Sequence, residues 1–166
     1  MNTGSMPQEK AARLMRLATY ASVLVASILV SIKLGAWLFS GSVAVLSSLI
    51  DSALDAVASI VTLFAVHHAL TPADREHRFG HGKAESIAAL GQAAFITGSA
   101  IFLLFEAGNR LTQPQLIDHG NLAIAVMSVS VVLTFALVRL QLYVVRRTGS
   151  LAIGADSVHY KADLVV

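Results

Sequence analysis

The chain contains no cysteine. Disulfide scaffolds, thiolate-bound zinc, iron–sulfur clusters and thiol nucleophiles are thereby excluded. Charge is scarce as well: Asp, Glu, Lys and Arg make up 13% of the 166 residues, against about a quarter in ordinary soluble domains. So few charges cannot furnish a water-facing surface. Only three prolines are present, so little interrupts long helices. The net charge is +2, and the basic residues lie beside apolar runs instead of forming one patch, which argues against nucleic acid as a partner. What is abundant is apolar. Hydrophobic residues account for 55% of the chain and the mean hydropathy is +0.70, the opposite of a disordered composition. The remaining class is an integral membrane protein with the lipid bilayer as its solvent.

A bilayer core about 30 Å thick needs about 20 apolar residues in helix. Runs over 17–39, 43–70, 84–110 and 122–145 meet this, and a fifth run, 151–166, gives only about 24 Å. The predicted fold is all-α: a polytopic transmembrane helix bundle of four full helices and an incomplete fifth, preceded by an N-terminal arm over 1–16. The first run is longer than the apolar region of a signal peptide and is read as a retained helix. Ser40-Gly41-Ser42 is a tight link that makes the first two helices antiparallel neighbours, and Gln113-Pro114 closes the third. Small residues at Ser27, Ser31 and Gly35, and at Ala94 and Gly98, suit close helix packing. Lys10, Arg13 and Arg16, then Arg75, Arg78 and Lys83, then Arg146 and Arg147 mark alternate connections. By the positive-inside rule the N-terminus lies in the cytoplasm.

Asp51 and Asp55 sit inside the second run. An ionised carboxylate at such depth costs roughly 2.5–3.5 kcal/mol on insertion scales, and a spacing of four puts both on one helix face. His159 and Asp163 in the fifth run repeat the device, with Asp156 on the same face. The bland reading is a set of protonated or hydrogen-bonded groups gluing helices together; paired i, i+4 acids and a matching His-x-x-x-Asp weigh against it. Facing each other, Asp51, Asp55, His159 and Asp163 would offer three carboxylates and one imidazole. That set suits a tetrahedral divalent transition metal, Zn2+ foremost. The lack of sulfur ligands disfavours Cu(I), and the imidazole disfavours Mg2+ and Ca2+. Three carboxylates in one desolvated cavity cannot all stay ionised when it is empty, so metal binding expels protons. If the cavity faces each side in turn, that linkage becomes metal/proton exchange. Asp156 is a candidate for the ion pathway, and Lys161, about 200° round the helix from the ligands, points off their face.

The loop after the second helix carries Asp74, His77 and His81. Gly80 and Gly82 disfavour continuous helix there. On spacing alone two readings stand: a second, exposed metal site, or a charged loop that is simply solvated. Glu85 fits a helix start by its dipole. His67 and His68 fall at the membrane boundary and are read as interfacial, and Asp118 with His119 as a solvated external loop.

Gly41-Ser-Val43, then Asp51-Ser-x-x-Asp55, then His77-x-Phe-Gly-His-Gly-Lys-Ala-Glu-Ser86, then Ala155-Asp-x-x-His159-Tyr-x-x-Asp163 together resemble the cation diffusion facilitator family. The similarity runs from about Arg16 to Val166 and is greatest to the bacterial ferrous-iron/zinc efflux transporters. The resemblance implies a homodimer in the bacterial inner membrane, exporting divalent metal by proton antiport with alternating access: a secondary active transporter, not an enzyme. Asp51, Asp55, His159 and Asp163 would be its transport site, Asp74, His77 and His81 its loop site, and Lys83 a dimer or domain contact. Zinc-restricted relatives have His where this chain has Asp51; the all-aspartate pair resembles the class accepting Zn2+, Cd2+ or Fe2+. Residues 17–166 would form the transmembrane domain, with helix six and a cytoplasmic C-terminal domain expected beyond Val166. The competing readings are a non-transporting metal sensor or assembly fragment, and a His-rich membrane metalloenzyme, for which six histidines are too few.

Overall fold

A computed structural model describes residues 7–112 and 120–165. Gln113-Pro114 and the Asp118–His119 pair lie outside the described residues. Among the described residues five helices follow one another: α1 Gln8–Ser40, α2 Val43–Ala69, α3 Lys83–Thr112, α4 Gly120–Thr148 and α5 Leu151–Val165. No strand occurs among the described residues. The first four are long and apolar enough to cross a membrane. Bulky apolar side chains such as Leu24, Phe64, Leu90, Leu104 and Phe135 stand exposed along them, as expected where lipid is the solvent.

α1 begins nine residues earlier than hydropathy alone predicts, because the arm has strong helix formers and no breaker after Pro7. Proline at the cap supplies a compatible φ, and Arg13 pairs with Glu9 one turn away at 2.7 Å. At its other end Gly41 takes a left-handed φ of 61° and returns its N–H to the Trp37 carbonyl at 2.8 Å. This closes α1 and starts α2 within two residues, so the pair packs antiparallel. Gly149 repeats the device between α4 and α5 with φ 69° and an N–H bond to Val145. Ser150 then accepts the Ile153 N–H at 3.4 Å and donates to Glu85 at 2.6 Å. Glu85 thus tethers the start of α5 to the start of α3, a contact beyond the helix-dipole role its position suggests.

α1 packs on α2 and α4, while α5 lies against α3, α4 and α2. One apolar cluster, containing Met15, Val66, Val144 and Ile153, holds the bundle at the end near the α2–α3 loop. Leu137, Val138 and Tyr160 form a second cluster around α5. α5 is therefore held on several sides, and its polar residues meet other helices instead of lipid.

Candidate metal centre

α2 and α5 bring Asp55, His159 and Asp163 together. One ligand atom from each lies within 4.8 Å of the other two. His159 Nε2 is 2.8 Å from Asp55 Oδ1 and 4.0 Å from Asp163 Oδ2. His159 is buried, with the Phe95 ring edge-on at 5.6 Å. Asp51 lies one turn along α2, exposed and outside this trio. The structure therefore gathers three of the four expected ligands and leaves the fourth beside them. The next residue on α5, Tyr160, shares a 2.7 Å hydrogen bond with Ser59, one turn past Asp55 on α2. That bond fixes the register in which the two ligand-bearing helices meet.

Asp156 is on α5 as expected, but its carboxylate is engaged elsewhere. It is 1% exposed. Oδ2 accepts from Gln141 Nε2 at 2.6 Å and from Ser22 Oγ at 3.0 Å, and Oδ1 accepts from Gln92 Nε2 at 3.0 Å. Helices α1, α3, α4 and α5 meet at this one group. Gln92 Nε2 also reaches Thr62 Oγ1 at 2.7 Å and the Ala58 carbonyl at 3.4 Å, both on α2. A buried acid needs such donors, so Asp156 is a junction of hydrogen bonds one turn from the trio. Lys161 is exposed, in keeping with a direction away from the ligands.

The sequence did not single out Gln92, Gln141, Ser59 or Ser22. Their only signal is a polar residue in an apolar run, which many membrane helices carry. Lys33 falls near the far end of the first apolar run. In the structure it is buried and donates to Ser52 Oγ at 2.6 Å and to the Ser48 carbonyl at 3.3 Å.

The loop residues Asp74, His77 and His81 form a second trio within the same 4.8 Å limit. Asp74 Oδ1 accepts the backbone N–H groups of His77 and Glu76, and lies 3.2 Å from His77 Nδ1. Oδ2 is 3.6 Å from His81 Nε2. Foremost through the His77 N–H, and further through its side chain, these contacts hold the exposed Asp74 carboxyl below its ordinary range. It remains an anion at neutral pH, as a cation ligand must. Gly80, at φ 77°, turns the chain so that His77 and His81 face each other with ring centroids 4.5 Å apart. The His81 residue is half-buried, its side chain 7% exposed, and its Nδ1 has no hydrogen-bond partner among the described residues. His68 was expected merely to border the membrane; its ring packs edge-on against His81 at 4.5 Å. Lys83 opens α3 and is exposed.

Fold and site together define a class: an α-helical membrane bundle with a mixed carboxylate–imidazole cluster between two of its helices. Comparison with known proteins sharpens the class. Residues 19–166 match the cation efflux transmembrane domain. The chain is 51% identical to the cation-efflux pump FieF of Shewanella oneidensis over 149 residues, covering 90% of this chain and 50% of that protein. It is 46% identical to the pump of the same name from Yersinia enterocolitica, covering 93% and 52%. The Klebsiella pneumoniae protein of that name is 44% identical, covering 93% and 51%. The chain belongs to the cation diffusion facilitator family, whose transmembrane domain it carries. It spans about half the length of the curated relatives it matches.

Proposed function

We propose that this chain exports divalent transition metal in exchange for protons, with Zn2+ the foremost cargo and Fe2+ or Cd2+ further ones. The observation that carries this reading is the 2.8 Å contact between His159 Nε2 and Asp55 Oδ1. A hydrogen bond between two ligand atoms requires a proton between them. A metal ion bound by those same two atoms must expel it, and departure of the ion invites it back. Proton and metal thus compete for one place, which is the chemistry of an antiporter. The relatives' shared name, cation-efflux pump, supports the direction of transport.

In this reading Asp51 completes the transport site when α2 and α5 close on an ion, and Asp156 steadies α5 next to the pathway. Asp74, His77 and His81 hold a second ion at the membrane surface. The distribution of Lys and Arg supports an N-terminus in the cytoplasm of a bacterial inner membrane. Access alternates between the two sides, the working unit is a homodimer, and Lys83 serves its contacts. Residues 17–166 act as the transmembrane domain.

The test is Zn2+ flux into proteoliposomes under an imposed pH gradient. Asp55→Asn and His159→Ala are each expected to abolish it. Flux persisting in both variants would overturn the site. Stoichiometric Zn2+ binding with no gradient-driven flux in the unmodified chain would instead favour a sensor.

A further inference from the structure

Lys33 is 8% exposed, and lysine is almost never buried without a charged partner. Its two hydrogen bonds are to neutral groups, Ser52 Oγ and the Ser48 carbonyl. Asp51 and Asp55, two carboxylates of the proposed transport site, share one face of α2 with these serines. The placement follows from α2: Ser48, Asp51, Ser52 and Asp55 fall at helical offsets 0, 3, 4 and 7, one continuous stripe. Lys33 is tied to the serine steps of that stripe, beside the aspartate steps.

Charge then becomes a matter of counting. Three carboxylates, one ammonium and a neutral imidazole leave two negative charges. A single divalent cation cancels them. Net charge in a low-dielectric interior is costly, so the loaded cavity is least costly when it is neutral. We propose that Lys33 is the valence-setting residue of the transport site: a tethered internal cation that matches the cavity to a doubly charged ion. It also repels the ion it sits beside, which keeps binding loose enough for release. The inference rests on the transport site described above. A mere strut between α1 and α2 would make the same hydrogen bonds, but would not care about the charge of the ion.

The experiment uses the full chain in lipid nanodiscs, with His77 and His81 replaced by alanine so that only the membrane site is titrated. Zn2+ and the trivalent probe Tb3+ are compared. Lys33→Gln is expected to tighten Zn2+ by about tenfold or more, and Tb3+ by a larger factor, because interaction with a fixed charge grows with ionic charge. Lys33→Arg keeps the charge and is expected to keep the unmodified Tb3+/Zn2+ ratio. In flux assays Lys33→Gln lowers both KM and kcat for Zn2+, since the ion leaves more slowly. An unchanged Tb3+/Zn2+ ratio in Lys33→Gln would overturn the proposal, as would an Arg variant behaving like the Gln variant. If Lys33→Gln does not fold, Lys33→Met supplies an uncharged stem of similar length for the same comparison. Asp55→Asn in the same background separates the two levels of inference. Zn2+ binding that survives it defeats the transport site itself; binding that disappears while Lys33→Gln and Lys33→Met change nothing defeats only the role of Lys33.

Discussion

Removing one hydroxyl from Tyr160 tests whether the register of α5 against α2 governs metal affinity. The Tyr160–Ser59 hydrogen bond is 2.7 Å long and joins residues 1% and 0% exposed. Interhelical hydrogen bonds in membrane proteins contribute about 0.6 kcal/mol on average and about 1.7 at most. Tyr160→Phe keeps the ring in its apolar cluster and deletes only this bond. A bond that merely holds the site's two halves together can alter affinity by no more than its own free energy. The Zn2+ dissociation constant of the membrane site should therefore rise between about 3-fold and 18-fold. The assay is Zn2+ titration in lipid, run as a double-mutant cycle with Ser59→Ala, where the second substitution should add almost nothing to the first. A loss beyond about 100-fold would mean that the phenol contacts the ion. Additive effects would mean that the two hydroxyls do not act together. Either result would refute the clamp.

Two further outcomes follow from neighbouring groups. Gln141→Leu leaves Asp156 Oδ2 with Ser22 alone and should destabilise the bundle by about 1–3 kcal/mol in a reversible unfolding assay; no loss would mean that Asp156 does not depend on this donor. At the loop, Asp74→Asn keeps a side-chain oxygen for the turn but loses the charge, so Zn2+ at that site should weaken at least about tenfold while the membrane site is unaffected. Because the Asp74 carboxyl is held below its ordinary 3.8, its contribution is present above the unfolded-state value and is lost as pH falls through the lowered folded one. Carbon-detected NMR titration of the carboxyl checks this, and a midpoint above 3.8 would contradict it.

The parts of this molecule legible in its sequence are those where physics leaves little choice. A carboxylate in lipid is costly, so Asp51, Asp55 and Asp163 announced themselves. Helical spacing put Asp163 on one face with His159, and Asp51 with Asp55, without knowledge of the fold; that Asp55 and His159 meet is given by the packing of α5 on α2. Gly41, read in the tight link between the first two helices, ends α1 in the left-handed conformation. Neutral polar residues are far less costly in membrane helices, so Gln92 and Gln141 carried no warning that they converge on Asp156. The meeting of His68 with His81 was hidden for a different reason: their separation in sequence is meaningless until Gly80 bends the loop back. Asp51 shows the reverse case. Spacing alone made it equivalent to Asp55, yet the trio that the structure gathers around His159 contains Asp55 and Asp163.

The amide of Gln92 has two hydrogens to give, and three oxygens stand around it: Thr62 and Ala58 on α2, Asp156 on α5. Two hydrogens are thus shared among three oxygens. A shared donor of this kind works as a swivel: it can let go of one helix while taking firmer hold of the other, and the number of bonds it makes stays the same. The two helices that carry the ligand trio are thus joined, through α3, by a link that can trade partners as they move.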